Sequence, residues 1–132
     1  AAAAAPRRQA PVGLLRPGDV YQFGVFHGSS LRNLSDIFPE ARKVWGFDSF
    51  EGLPEWTQED GENSEELAPG FMTAPPGVMG RIAEELGRER VGFVAGFFNE
   101  SLTPALALER RMAPAIYVDI DVDLYSSTFE AL

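Results

Sequence analysis

Cysteine is absent from all 132 residues, which excludes disulfides, thiolate zinc sites and cysteine nucleophiles and leaves the redox compartment open. His27 is the single histidine and Lys43 the single lysine; the other basic residues are arginine. No run of about eighteen apolar residues occurs, so no membrane-spanning helix is expected. Positive charge is scarce too. With 11 Lys and Arg against 20 Asp and Glu, the formal net charge is -9. Phosphate backbones and anionic lipid surfaces are bound by basic patches, so neither nucleic acid nor membrane is expected as a partner. The opening Ala1 to Ala5, followed by Pro6-Arg7-Arg8, lacks the apolar core of a signal peptide, and its arginines follow the alanines instead of preceding them. Residues 1–17 therefore read as a disordered tail, and the location as cytoplasmic.

What is present looks like an ordinary globular domain. Hydrophobic residues at 45% and charged ones at 23% match average usage, which suits a single domain over residues 18–132. Short apolar runs at 19–25, 43–48, 91–95 and 115–121, rich in Val, Ile, Phe or Tyr, predict strands. Between them lie helical patterns. Leu31, Leu34, Ile37 and Phe38 recur at three- and four-residue spacings over Ser30 to Phe38, with a serine placed to cap the helix. Val78, Ile82 and Leu86 stand four apart over Val78 to Arg88, and Pro104 suits the first turn of a helix over Thr103 to Arg111. A fourth helix is expected from Tyr125. Strands alternating with helices imply an α/β fold with a parallel sheet.

The last strand runs into alternating carboxylates, Ile116-Tyr-Val-Asp-Ile-Asp-Val-Asp-Leu-Tyr-Ser-Ser-Thr128. Residues two apart share a strand face, so Asp119, Asp121 and Asp123 point the same way if the strand stays regular. Such a cluster is tolerable at the open end of a sheet, in water or around a cation, and is costly when buried without partners. The bland alternative is a solvated strand end. Upstream, Val20-Tyr-Gln-Phe-Gly-Val-Phe-His-Gly-Ser-Ser30 is a strand breaking into a Gly24-x-x-x-Gly28 loop before a helix. Glycines allow a tight turn and close approach to a ligand, and the helix N-terminus offers unpaired N–H groups. Val44-Trp-Gly-Phe-Asp48 then ends a second strand in an acid, well placed to accept hydrogen bonds from two ribose hydroxyls. A tight turn without a ligand, and an acid serving as a cap or turn former, are the alternatives.

Gly24-Val-Phe-His-Gly-Ser-Ser30, Gly46-Phe-Asp-Ser-Phe-Glu-Gly-Leu-Pro54, Gly96-Phe-Phe-Asn-Glu-Ser-Leu102 and Asp121-Val-Asp-Leu-Tyr-Ser-Ser-Thr128 together resemble the macrocin O-methyltransferase family of class I S-adenosylmethionine-dependent enzymes. The resemblance covers roughly residues 18 to 132, and Phe-Asp-Ser-Phe-Glu-Gly-Leu-Pro is its most specific part. It implies a Rossmann-like sheet with helices on both faces, of which about the first four strands are present. The chain thus reads as a C-terminally truncated member, ending mid-helix by pattern and leaving an apolar sheet edge. The resemblance further implies cofactor contacts from Gly24, Phe26, Gly28, Ser29, Ser30, Asp48 and Ser49. It implies Asp121 as a ligand to a divalent cation such as Mg2+ and Asp123 as the catalytic base. Two departures stand out. Gln22 occupies a position where the family usually has an acid, which weakens a hydrogen bond toward the cofactor's ammonium. The family's further acidic metal ligands lie beyond the motif at which this chain stops.

The implied activity is methyl transfer from S-adenosylmethionine to a hydroxyl of a small molecule, of sugar or natural-product type. The alternative is a non-catalytic or remnant cofactor-binding domain. A nicotinamide-dependent oxidoreductase is disfavoured, because the loop reads G-x-x-x-G-S-S and not G-x-G-x-x-G. Residues 49–77 carry many acids and prolines and read as a lid or substrate-side insert, with Trp56, Phe71 and Met72 as the apolar groups to fold over a ligand. His27 reads as a loop-packing or cofactor-edge residue in preference to a catalytic base, Asp119 as structural or a spare, and Phe97 and Phe98 as core, with one of them able to border an adenine.

Overall fold

In the computed structural model of the chain, the residues described are 17–51, 74, 76–122 and 130–132. Most of the proposed tail, most of the proposed lid with Trp56, Phe71 and Met72, Asp123, and the start of the helix expected from Tyr125 lie outside them. Four strands form one parallel sheet: β1 (Asp19–Phe23), β2 (Val44–Asp48), β3 (Val91–Ala95) and β4 (Ala115–Ile120), in spatial order β3-β2-β1-β4. Parallel neighbours need crossovers, and α1 (Ser29–Ile37) and α2 (Val78–Leu86) make the first two. The return from β3 to β4 passes through the single-turn helices α3 (Phe98–Ser101) and α4 (Leu106–Glu109).

Side-chain alternation along the strands assigns the two faces. Val20, Val44 and Val91 pack with Leu31 and Leu34 of α1 and Val78 and Ile82 of α2. Phe23, Trp45, Phe47 and Val94 pack on the opposite face with Phe98 of α3, and Leu102, Leu106 and Met112 close around them. Helices therefore cover both faces, as an α/β sheet requires. Burying each such side chain contributes about 1.5–3 kcal/mol, so the two layers are the main source of stability. Within the second layer, Phe23 stacks on Phe47 at 4.5 Å between ring centroids and meets Phe98 edge-on at 5.6 Å.

Several boundaries differ from expectation for identifiable reasons. Gly28, in the left-handed conformation at φ 86, holds the cap position of α1, so Ser29 and Ser30 become its first helical residues and neither side chain caps it. The far end of α1 is closed from outside the helix. The Arg90 guanidinium donates to the carbonyls of Ser35 at 3.1 Å and Phe38 at 2.6 Å, and also to that of Ala41. These include groups that a helix C-terminus leaves without partners. The helix expected over Thr103 to Arg111 shrinks to α4, with Pro104 in the preceding turn. Arg111 at φ 54 ends it, with Met112 N–H donating to Ala107 O at 2.9 Å and Arg111 N–H to Leu108 O at 3.2 Å, the Schellman pattern usually built on glycine. Among the described residues, strand β4 is the outermost of the sheet on its side, and its Ile116, Tyr117 and Val118 are each more than 40% exposed.

Candidate functional site

Strands β1, β2 and β3 are laid down in one direction across the sheet, and β4 then returns to the far side of β1. Such a reversal opens a crevice at the carboxyl ends of the strands, where open α/β sheets bind ligands. Gly24 sits there, with φ 93, and a Cβ on it would lie 1.9 Å from the carbonyl oxygen of Asp121. Its N–H donates to Phe47 O at 2.8 Å, while Asp121 N–H donates to Phe23 O at 2.8 Å. The turn is thus clamped between the ends of β2 and β4. Gly28, at φ 86, is required for a similar reason, since a Cβ would lie 2.3 Å from Cδ1 of Ile82 on α2. Protein packing accounts for both glycines, and it brings the first motif and the last to one place.

Asp48 ends β2 beside this turn. Its Oδ2 accepts from Val25 N–H at 2.7 Å and Phe26 N–H at 2.9 Å, and its Oδ1 from Phe50 N–H at 2.9 Å. Phe26 and Phe50 both adopt left-handed backbone conformations, φ 49 and φ 59, which bulky residues avoid at a cost of about 1–3 kcal/mol each. One carboxylate therefore holds two strained loop residues. Ser49 stands between them in sequence, and its Oγ accepts from Glu51 N–H at 3.1 Å. Ser29 and Ser30 are exposed at the start of α1. His27 is exposed with its ring 3.8 Å from that of Phe26, and its carbonyl accepts from Arg32 Nη1 at 2.8 Å.

Gln22, fully buried on β1, pairs in register with Asp119 of β4 and donates from Nε2 to Asp119 Oδ2 at 2.9 Å. Asp119 thus links β4 to β1 through its side chain. Its position explains why an amide suits position 22: a second carboxylate there would face the first across adjacent strands. Gln22 Oε1 is a buried acceptor with no donor. Asp121 is exposed just past β4. Among the described residues no three acids or histidines converge on a point where a metal ion could sit.

At the opposite end of β1, sequence reasoning missed a buried charge. Asp19 is fully buried, and its Oδ2 accepts from Arg42 Nη2 at 2.6 Å, Trp45 Nε1 at 2.9 Å and Ala113 N–H at 2.9 Å. Burial acts to raise its pKa, but the hydrogen bonds from Ala113, Trp45 and Arg42 together with the Arg42 charge outweigh it, so the net direction is downward. Tyr21, donating to Ala113 O, is pushed up to about 12 by burial and by the nearby Asp19 charge. The only signal was an acid opening an apolar strand at Gly18-Asp19. This network ties the segment entering β4 to β1, and so sets where Asp121 falls.

Residues 15–132 match the family described as Macrocin-O-methyltransferase (TylF). The chain belongs to that family. It is 33% identical over 129 residues to the 8-demethyl-8-(2,3-dimethoxy-alpha-L-rhamnosyl)-tetracenomycin-C 4'-O-methyltransferase of Streptomyces olivaceus, covering 88% of this chain and 46% of that protein. The crystal structure of CalS11, a calicheamicin methyltransferase, superimposes with a TM-score of 0.72 at 23% identity over 86% of this chain and 50% of the other, which supports the fold. The chain thus spans about half the length of the relatives it matches. A methyltransferase Rossmann-like sheet is the architecture these comparisons and the strand order share.

The residues present fit the cofactor such a sheet carries. Gln22 Oε1 offers a buried acceptor to a donor such as an ammonium. The start of α1 offers N–H groups to an anion. For a divalent cation the described residues supply no cage: Asp121 is exposed past β4, and no three acids or histidines gather around it.

Proposed function

We propose that this chain carries the cofactor-binding half of an S-adenosylmethionine-dependent O-methyltransferase acting on a hydroxyl of a small molecule, of sugar or natural-product type. The observation that carries the reading is the meeting of Gly24, Asp48 and Asp121 at the switch point of the sheet, in a member of the macrocin O-methyltransferase family. The relative that methylates a rhamnosyl tetracenomycin supports a glycoside acceptor. When bound, the cofactor supplies an electrophilic methyl group.

The chain's own residues then bind, orient and deprotonate. Gly24, Phe26 and Gly28, with Ser29 and Ser30 at the start of α1, would receive the methionine end, its carboxylate against the helix N-terminus and its ammonium toward Gln22 Oε1. Asp48 would take the ribose and Ser49 would line that end of the pocket. Asp123 would accept the proton of the acceptor hydroxyl as general base, a role worth about a hundredfold or more. Asp121 would contribute one oxygen to a divalent cation if further ligands were brought alongside it.

Calorimetric titration of S-adenosylhomocysteine into the full chain tests cofactor binding, with saturable binding expected. Absence of binding at millimolar ligand would refute the reading. Transfer of a labelled methyl group to a rhamnosyl glycoside, lost in Asp123→Asn with binding kept, tests catalysis. Binding without any transfer would instead make this a cofactor-holding domain.

A further inference from the structure

An ionised carboxylate offers about four hydrogen-bond acceptor positions over its two oxygens. Three of those on Asp48 are filled by the protein itself, Oδ2 by Val25 N–H and Phe26 N–H and Oδ1 by Phe50 N–H. All three bonds are short, from 2.7 to 2.9 Å, and two of the donors belong to residues held in left-handed conformations. Releasing Phe26 or Phe50 to make room would leave a bulky residue strained without its anchor. One acceptor position therefore remains, on Oδ1.

We infer that Asp48 grips the cofactor's ribose through a single hydroxyl at Oδ1, and not through both hydroxyls in the two-pronged manner that an acid at a strand end suggests. This rests on the reading of Asp48 as the ribose ligand. The second hydroxyl takes no direct bond from this carboxylate, so modifying it leaves the contact intact. The same count makes Asp48→Ala a poor test of ribose binding, because it removes three loop hydrogen bonds along with any ligand bond.

The ligand side gives the cleaner experiment. Calorimetric titration of the full chain with S-adenosylhomocysteine, its 2'-deoxyribosyl analogue and its 3'-deoxyribosyl analogue compares the two hydroxyls with no change to the protein. One analogue is expected to bind roughly ten- to a hundredfold more weakly, as loss of one charge-assisted hydrogen bond gives, and the other within about threefold of the parent. Comparable losses of tenfold or more with both analogues would overturn the single-hydroxyl inference and leave the ribose reading standing. If neither analogue is weakened, the ribose reading falls and the inference with it. In Asp48→Asn, which keeps the side-chain shape, the penalty of the one weakened analogue should shrink while the other analogue stays level with the parent nucleoside; an undiminished penalty would assign that hydroxyl to a different residue and overturn the inference.

Discussion

Replacing Asp19 by asparagine tests whether a fully buried carboxylate at the start of β1 anchors the segment that enters β4. The asparagine Oδ1 can take the place of the aspartate Oδ2 and keep the donors Arg42, Trp45 and Ala113. The bonds from Trp45 and Ala113 then fall from the charge-assisted range of about 1.5–3 kcal/mol to the neutral range of about 0.5–1.5 kcal/mol, and the bond from Arg42 keeps its charged donor but loses its ionic partner, a loss of about 3 kcal/mol in all. The new amide nitrogen lands where Asp19 Oδ1 now has no partner, so one unsatisfied buried atom replaces another. Burying a neutral amide instead of a charge returns part of this. The net expectation is a loss of about 2–3 kcal/mol, a large share of the roughly 5–15 kcal/mol that holds a domain together.

The pH dependence makes the test specific. The folded-state pKa of Asp19 is lowered from 3.8, so its contribution is fully present above the unfolded value and is lost as pH falls through the folded one. Thermal melts of parent and Asp19→Asn should therefore differ by a constant margin from about pH 7 to about pH 5, and the gap should narrow below about pH 4. Circular dichroism at matched ionic strength reads both. A gap under about 0.5 kcal/mol at neutral pH, or one that persists unchanged to about pH 2, would refute the assignment of Asp19 as an ionised anchor.

Arg90→Met removes the guanidinium that closes α1 and should lower stability by about 2–4 kcal/mol, read as a fall in the urea midpoint with little change in slope. An unshifted midpoint would mean that water serves those carbonyls equally well. Gln22→Glu places a carboxylate against Asp119, now 2.9 Å from the amide. Its melting temperature should fall at neutral pH and recover below about pH 5 as the pair shares a proton, and a melt at neutral pH equal to that of the parent would remove Asp119 as the reason for glutamine. Gly24→Ala forces a Cβ toward the Asp121 carbonyl and should weaken S-adenosylhomocysteine at least tenfold on calorimetric titration. Retained affinity would detach the turn from the cofactor.

The strands were legible because each is a short apolar run with β-branched or aromatic residues, and all four begin within a residue of the expected position. Amphipathic spacing likewise revealed Val78 and Ile82 as the buried face of α2. The helix ends were less legible, since they depend on tertiary partners. Nothing local in the sequence says that Arg90, more than fifty residues away, closes α1, or that Arg111 takes a left-handed conformation where glycine is usual. Helix α3 was missed because four residues are too few to show a period. At the site, the spacing of Gly24, Gly28 and Asp48 was readable as a pattern, whereas the reasons for it were not. The sequence suggested ligand approach, and the structure adds the Asp121 carbonyl and the Ile82 side chain as what a Cβ would strike.

Those packing reasons bear on how the site evolves and how it should be probed. Gly24 cannot change while Asp121 follows β4, and β4 is held in place by Asp19 at the other end of β1. A substitution at Asp19 therefore acts on the crevice through the register of β4, with no contact to any ligand. Asp48 couples the loop after β1 to the loop after β2, so a ligand bond at Oδ1 is added to an arrangement already fixed by three backbone donors. Binding energy is then not spent on ordering these two loops, which is the advantage of a preorganised site. The strain at Phe26 and Phe50 is met by the Asp48 carboxylate, which accepts from the N–H of each. It follows that Asp48→Asn should loosen both loops and bind S-adenosylhomocysteine more weakly with a more unfavourable binding entropy, whereas a lost ribose contact alone would appear mainly in the enthalpy.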